Sequence, residues 1–433
     1  MNEVAVGIVA LFAMLVLFLT GIELAVAMAV IGFLGFSYVV SFQAACSLIA
    51  TDIFETFSSY GLTVIPLFIF MGQIAYVAGI AEKLYGVANR FIGHVPGGLS
   101  MATIAGATLF KSICGSSPAT TATFASVAIP QMEKFHYDRR LAGGTVASAG
   151  SLGILLPPSV SLIVFGIITE QSIGELFLAG IVPGLITAVF FMLTIYGWCR
   201  IKPEMGPAGV KYSWTERLHS LPEIIWPLVI FIVIIGGLMK GVFTPTEAGS
   251  IGTFAVIIVV ILKRDLNFRA YARSVVESLR TACMVLLLVA GSVIMGHFLT
   301  ATKIPMLASD WVAHLSLNRY VIVLLICLVY EVGGSFIDDF AFMFLATPIL
   351  FPIVLKLGFD PIWFGMLVAV TLMIGGIIPP VAMNVFITSN LTKIPLGVIY
   401  KGALPFLIAL FVCGALLFLF PELALFLPKT FMR

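Results

Sequence analysis

The sequence predicts an all-α polytopic membrane protein with two inverted repeats, each containing a re-entrant hairpin and a broken helix. The chain of 433 residues is 61% hydrophobic and only 10% charged, whereas globular domains are roughly 25% charged. Apolar stretches of about 20 residues, long enough to cross a bilayer core of about 30 Å, recur from end to end. Segments rich in glycine and proline interrupt them at corresponding points of the two halves, as is typical of transporter binding sites.

The composition excludes several other classes of protein. A β-barrel would alternate polar and apolar residues over strands of about ten residues, a pattern that the sequence lacks. The net charge is +2 and no basic arm is present, so no nucleic-acid partner is expected. The six cysteines lie singly in apolar runs without the spacing of metal ligands, which indicates a role in packing.

Residues 1–60 are predicted to form the N-terminal scaffold spans. Two apolar runs, at 4–19 and 24–40, are each about long enough to cross the membrane. Residues 52–60 are polar enough to predict a linker that lies outside the hydrocarbon. The scaffold is therefore expected to begin with two crossings and a polar connection.

Residues 61–199 are predicted to form the first repeat. Two short apolar helices flank the tip Gly115-Ser116-Ser117-Pro118, which predicts a hairpin that enters and leaves on one side of the membrane. Pro157 and Pro158 predict a broken helix, because proline lacks an amide donor and blocks the preceding turn. The elements expected in chain order are a span at 62–80, an amphipathic interfacial helix at 81–92, the hairpin at about 99–132, the broken helix at 142–168 and a span at 179–198.

Residues 200–280 are predicted to hold the central scaffold spans and two basic loops. The loops, at 200–219 and 263–280, are separated by two apolar crossings and therefore lie on the same side of the membrane. Because cytoplasmic loops carry an excess of lysine and arginine, that side is predicted to be the cytoplasm.

Residues 281–425 are predicted to form the second repeat, with its hairpin at about 322–355 and its broken helix at 362–390. Matching landmarks keep one constant spacing up to the hairpin tips and a slightly larger constant spacing after them; the pairs are Gly72 and Gly291, Gly115 and Gly334, Pro130 and Pro352, Pro157 and Pro379, and Pro183 and Pro405. A short insertion in the second hairpin accounts for the change of spacing. An odd number of crossings in each unit would invert one copy relative to the other.

A hairpin tip that meets a broken helix leaves backbone carbonyls without amide partners. A small hard cation can bind such oxygens, while the N-termini of the half-helices favour an anion. The alternative reading is close helix packing, which also enriches small residues in membranes. The predicted cation ligands are Ser116, Thr120, Gly153, Leu156 and Pro158 in the first half, and Gly334, Asp338, Gly375, Ile378 and Pro380 in the second.

Polar side chains near the tips and breaks are candidates for binding the substrate. A carboxylate in mid-membrane costs about 2.5–3.5 kcal/mol, so Asp338 is interpreted as functional and Asp339 as solvated or capping a helix. Lys111 is a cation close to the first tip, with a substrate carboxylate, the interface or a backbone carbonyl as its alternative partners. The predicted substrate-binding residues are Ser116, Ser117, Ser159, Ser161, Asp338 and Asn384.

Four motifs resemble those of the large membrane (M) subunit, the DctM-like family, of tripartite ATP-independent periplasmic (TRAP) transporters. They are AGSLGILLPPS, the tip GSSPAT, GVFTPTEAG and FIDDFAFMFLATPILFPI. The resemblance implies an elevator-type carrier of the ion-transporter superfamily in the bacterial inner membrane. It also implies at least two Na⁺ ions, a small four-helix Q-type membrane subunit, and a periplasmic binding protein that delivers an organic acid anion such as sialic acid or a C4-dicarboxylate.

The sequence departs from that family's pattern at several positions near the site. Ile378 stands where the family often has threonine, Ala382 where glycine is common, and Asp339 where an uncharged residue is common; Lys111 is also atypical. A hydroxyl ligand at position 378 is therefore missing, which leaves only the backbone part of the second ion site.

Two other functions remain as alternatives. A stand-alone organic-anion carrier of the same superfamily would need no binding protein. An intramembrane aspartyl protease would need a second catalytic aspartate in an apolar run, which is missing, and the HExxH and GxSxG motifs of other hydrolases are also missing. The chain is therefore not expected to be an enzyme. It also lacks the GxxxxGK[ST] loop of ATP-driven proteins.

Overall fold

The computed structural model describes residues 3–263, 268–314 and 317–432. In these ranges the chain forms twenty-one α-helices and no strand, which confirms the predicted all-α class. The N-terminal helices are α1 (Glu3–Leu19), α2 (Leu24–Val39) and α3 (Phe42–Ser58). Eight helices within the described ranges are long and apolar enough to cross a membrane by length and composition.

The first half supplies seven helices, and the central segment three. Those of the first half are α4 (Val64–Val77), α5 (Ile80–Ile92), α6 (Gly98–Lys111), α7 (Ser117–Lys134), α8 (Arg139–Ser151), α9 (Val160–Thr169) and α10 (Ile173–Ile201). The central helices are α11 (Trp214–Ser220), α12 (Pro222–Met239) and α13 (Pro245–Lys263). Helices α6 and α7 occupy the predicted first hairpin, and α8 and α9 the predicted first broken helix.

Within the described residues, the second half supplies eight helices. Its helices are α14 (Phe268–Ala301), α15 (Ile304–His314), α16 (Arg319–Phe336), α17 (Asp339–Lys356), α18 (Pro361–Gly375), α19 (Met383–Thr392), α20 (Leu396–Leu419) and α21 (Glu422–Phe431). Helices α16 and α17 occupy the predicted second hairpin, and α18 and α19 the predicted second broken helix. Helices α15 and α21 correspond to no element predicted from the sequence.

Three segments predicted as loops are wholly or partly helical. The predicted loop at 200–219 contains most of the short helix α11. The linker predicted at 52–60 belongs mostly to α3, in which Asp52 is buried and lies 3.3 Å from His297 of α14. The basic segment predicted at 263–280 is helical from Phe268 onwards, where it forms the start of α14. At about 1.5 Å per residue, the 34 residues of α14 are longer than a bilayer core is thick, so its basic end can lie outside the core. Arg264, which that prediction included, lies outside the described residues.

Two pairs of helices, α2 with α14 and α8 with α20, approach each other closely at glycine residues. Helix α14 packs on α2, where a Cβ added to Gly291 would overlap the carbonyl of Ala25. Helix α20 packs on α8, where a Cβ added to Gly402 would overlap the carbonyl of Arg140. Small residues permit such backbone approach in membrane proteins. One contact joins α2 to α14, and the other joins α20 to the first broken helix.

Candidate functional site

The tip of the first hairpin is the segment 112–116, between α6 and α7. Its end is defined by Ser116, whose Oγ accepts a hydrogen bond of 3.3 Å from the amide of Ala119 at the start of α7. Pro118 lies in the first turn, where its missing amide costs nothing. A serine cap followed by proline therefore starts a new helix at this point.

The first break is the segment 152–159, between α8 and α9. It contains the Pro157-Pro158 pair and ends at Ser159. The Oγ of Ser159 accepts from the amide of Leu162 at 3.4 Å and donates to the carbonyl of Ile154 at 2.7 Å. The same side chain thus starts α9 and ties the non-helical segment to it.

The first tip lies directly against the first break. The amide of Val160 donates to the carbonyl of Gly115 at 3.3 Å. A Cβ added to Gly115 would lie only 3.0 Å from the carbonyl oxygen of Pro158, so a side chain would strain this contact. Hairpin and broken helix therefore meet through their backbones.

The second tip consists of residues 337–338, between α16 and α17. Asp338 caps α17: its Oδ1 accepts from the amides of Phe340 at 3.0 Å and Ala341 at 3.3 Å. The capping role considered for Asp339 was therefore assigned to the wrong aspartate. Asp339 is already the first residue of α17, and a helix is capped by the residue that precedes it.

The second break is the segment 376–382, and it lies against the last turn of α16, just before the second tip. The amide of Val381 donates to the carbonyl of Ser335 at 3.1 Å. A Cβ added to Gly375 would lie 2.8 Å from the carbonyl carbon of Gly334. The carbonyl of Pro380 accepts a hydrogen bond of 2.9 Å from the hydroxyl of Tyr400. In each half, the broken helix therefore contacts the backbone of the hairpin at its tip or one turn before it.

Asn384 joins the second broken helix to the first hairpin. Its Oδ1 accepts a hydrogen bond of 3.0 Å from the hydroxyl of Thr121 and lies 3.4 Å from that of Ser117. Ser117 also donates to the carbonyl of Gly150 at 2.9 Å, at the end of α8. Asn384 is only 2% exposed, so this contact between the two halves is buried in protein.

A cavity of about 520 Å³ separates the two tips from α2, α4 and α14. One wall contains Ser116 and Asp338 from the tips, and the other contains Glu23, Gln73 and Thr281 near or on α2, α4 and α14. Most of the remaining lining is apolar, as in many small-molecule sites. Among the described lining residues there are two carboxylates and no lysine, arginine or histidine.

The other predicted site residues lie behind the tips rather than in the cavity lining. Thr120 donates to the carbonyl of Ser116 at 2.9 Å, and Ile378 donates its amide to Ile374 at 2.9 Å. Leu156 is buried and its side chain packs beside Gly184. The predicted residues placed away from the lining are Ser117, Thr120, Gly153, Leu156, Pro158, Ser159, Ser161, Gly334, Gly375, Ile378, Pro380 and Asn384.

Lys111 is completely buried at the end of α6. Its Nζ donates a hydrogen bond of 2.7 Å to the carbonyl of Ser116. A Cβ added to Gly153 would overlap this amine, so the lysine fits only because position 153 has no side chain. Of the three partners considered from the sequence, the structure shows the backbone carbonyl. The approach to Gly153 was not predicted, because no local pattern reports it.

Comparison with known proteins gives consistent matches along the chain. Residues 11–423 match the family model described as the DctM component of the tripartite ATP-independent periplasmic transporter. The C4-dicarboxylate TRAP transporter large permease protein DctM of Pseudomonas aeruginosa is 36% identical over 382 residues, covering 88% of this chain and 89% of that protein. The sialic acid TRAP transporter large permease protein SiaM of Vibrio cholerae is 32% identical over 375 residues, covering 86% and 87%.

Two further comparisons concern a longer relative and the fold. The isethionate TRAP transporter permease protein DctMQ of Oleidesulfovibrio alaskensis is 34% identical over 382 residues, covering 87% of this chain and 60% of that protein. The crystal structure of the YdaH transporter of Alcanivorax borkumensis is similar with a TM-score of 0.65 at 13% identity, covering 87% of this chain and 89% of that one. At this identity, the similarity indicates a shared fold alone.

Proposed function

This chain belongs to the DctM component family of TRAP transporters and is a large permease subunit of the bacterial inner membrane, and we propose that it imports an organic acid anion coupled to sodium. The similar permeases are named for C4-dicarboxylate, sialic acid, isethionate and 2,3-diketo-L-gulonate, all small organic anions. The substrate proposed here is an anion of the same kind. The observation that carries the proposal is the cavity between the tips and the scaffold.

The lining of this cavity argues for a cation that accompanies the anion. Glu23 and Asp338 contribute carboxylates, and no basic side chain from the described residues lines the cavity to offset them. An organic anion would therefore meet like charge, which is costly where water is excluded. A sodium ion bound beside the anion would supply the missing positive charge, so that anion and ion bind together.

The backbone of the second tip and break fits such an ion. Gly334, in the last turn of α16, and Gly375, at the end of α18, approach each other closely, and Asp338 lies in the tip that follows α16. The carbonyl of Pro380 already accepts from Tyr400, but a carbonyl oxygen has a second lone pair. Carbonyl and carboxylate oxygens are suitable ligands for a small hard cation. The proposed ligands of the second half are therefore Gly334, Asp338, Gly375, Ile378 and Pro380.

Movement of the tips relative to the scaffold is proposed as the means of alternating access. The cavity has one wall on the hairpins and another on α2, α4 and α14, so a shift of one wall past the other would carry its contents across. An inward positive charge gains about 2.3 kcal/mol per 100 mV. A tenfold sodium gradient adds about 1.4 kcal/mol per ion. These terms can drive uptake without ATP.

Two partners follow from the proposed system. A periplasmic protein would deliver the anion, and a small Q-type subunit would stabilise the scaffold. The longer relative supports the second partner, because its name joins the M and Q components and this chain covers 60% of it. Uptake by this chain in vesicles without a soluble partner would instead favour a stand-alone carrier.

Replacing sodium by potassium tests the coupling. In vesicles that contain the permease with its membrane and soluble partners, we expect anion uptake to fall at least about tenfold when external Na⁺ is replaced by K⁺, because the anion then enters the cavity without a counter-charge. Uptake of the radiolabelled anion is the measurement. Equal uptake in the two salts would rule out sodium coupling.

Asp338→Asn separates charge from capping at the second tip. Asparagine caps helices about as well as aspartate, so stability should stay within about 0.5 kcal/mol of the native value. Loss of the carboxylate should raise the Na⁺ concentration for half-maximal uptake by about tenfold, a change of about 1.4 kcal/mol. Asp339→Asn, next to it but outside the cavity lining, is the matched control. A similar sodium dependence for both variants would contradict the role of Asp338.

A further inference from the structure

The two halves differ in what lies between tip and break. In the first half, the amine of Lys111 lies between the carbonyl of Ser116 and the backbone of Gly153. Both of these residues were predicted as cation ligands from the sequence. The place predicted for the first ion is therefore in contact with a positively charged side chain of the chain itself.

At the corresponding places of the second half, the structure shows a tyrosine and a contact between backbones instead. In the register that pairs Gly115 with Gly334, Lys111 corresponds to Tyr330, whose hydroxyl lies 2.8 Å from that of Thr347. In the register that pairs the two proline doublets, Gly153 corresponds to Gly375, which meets the backbone of Gly334 rather than a side chain. The three heavy atoms nearest to a Cβ added at Gly375 all belong to the peptide groups of Gly334 and Ser335.

The position of the Lys111 amine conflicts with a sodium ion at the same place. The amine already binds the Ser116 carbonyl at 2.7 Å, and it fills the space beside Gly153. Two unit charges about 4 Å apart, at an effective dielectric constant of about 20, repel strongly enough to weaken binding about a thousandfold. The first half therefore does not fit a sodium ion while Lys111 lies there.

We propose that the Lys111 ammonium takes the place of the sodium ion at the first tip and break, so that this permease couples its anion to sodium through the second half. The proposal deepens the proposed function and rests on it for the role of the second half. It assigns Lys111 as the residue that sets how many sodium ions accompany each anion.

A lysine side chain and a bound sodium ion contribute differently to the energy of the transport cycle. A sodium ion is released on the inner side and contributes its charge and its gradient to each cycle, whereas a lysine returns with the moving elements. The native permease should therefore carry one ion and one positive charge fewer per anion than a variant in which the first place accepts sodium.

Thermal unfolding of the purified full chain in detergent tests this assignment without substrate or partners. A ligand that binds only the folded state raises Tm as its concentration rises. We expect Lys111→Ala, which vacates the place beside Gly153, to show a Na⁺-dependent rise in Tm additional to that of the native chain, with K⁺ as the salt control. Lys111→Met fills the space without charge and should show no additional rise. Lys134→Ala, at the exposed end of the same hairpin, should behave like the native chain.

Sodium dependence of uptake by the native permease provides a second measurement that needs no variant. We expect a Hill coefficient for Na⁺ of about one, and of about two for Lys111→Ala if it folds. A native coefficient of about two, or Na⁺ dependence of Tm that is the same in native and Lys111→Ala chains, would overturn the assignment.

The outcomes also separate this inference from the proposed function. If the native chain shows no response to Na⁺ while Lys111→Ala acquires one, sodium coupling of the native permease fails and the assignment of Lys111 stands. If uptake depends on Na⁺ with a coefficient of about two in the native chain, the coupling stands and the assignment of Lys111 fails.

Discussion

Gly402→Ala is expected to destabilise the permease severely, although alanine is normally the better helix former by about 1 kcal/mol. A Cβ at this position would overlap the carbonyl of Arg140, and a Cβ on the facing Gly144 would overlap the carbonyl group of Gly402. Neither neighbour is a flexible side chain, so α20 would have to move away from α8. We expect a loss of about 3 kcal/mol or more of stability. Thermal unfolding in detergent, followed by size-exclusion chromatography, is the measurement.

Gly397→Ala is the matched control for this substitution. It makes the same change in the same helix, but no atom lies within 4 Å of a Cβ added there. Its Tm should equal or exceed that of the native chain. If both variants unfold at the same temperature, the close approach of α8 and α20 is wrong, and with it the position of the first broken helix.

Asn384→Ala is expected to reduce anion uptake by about 10-fold to 100-fold. The substitution removes the oxygen that accepts from Thr121 and lies beside the hydroxyl of Ser117, while both hydroxyls keep backbone acceptors. The lost buried hydrogen bond and the space left by the amide together cost about 1–3 kcal/mol. This contact joins α19 of the second half to α7 of the first, so its loss should misplace one break relative to the other half's tip. Initial rates of uptake, normalised to folded protein, are the measurement.

Asn390→Ala separates this effect from a general loss of asparagine in α19. Asn390 lies in the same helix but is exposed, so its removal should leave uptake within about twofold of the native rate. Equal activity of the two variants would show that the contact between the halves does not matter for transport.

Local chemistry made the interruptions of the helices predictable. Pro157-Pro158 and Pro379-Pro380 lie in non-helical segments, because proline has no amide to donate and restricts the residue before it. Ser116 and Asp338 start the second helix of each hairpin, as short polar side chains do when they accept from exposed amides. Proline breaks and helix caps depend only on residues adjacent in the sequence, so they can be predicted from it.

Polarity was a poorer guide where the tertiary structure provides a partner. The segment 52–60 looked like a solvated linker, yet Asp52 is buried in α3 next to His297 of α14. The basic residues after 268 belong to a helix that extends beyond the apolar core. Single-sequence polarity does not distinguish a loop from a helix whose polar residues lie at the interface or face another helix.

The sequence by itself determined the class of protein, the family and the points at which helices end, because hydropathy, motifs, caps and prolines act over a few neighbouring residues. Only the tertiary structure decided that Lys111 fills the space beside Gly153 and that Asn384 contacts Ser117, a residue 267 positions away. Those contacts depend on how close two helices can approach and which side chains then meet. Helix packing fixes such distances, and no local pattern in the chain records them.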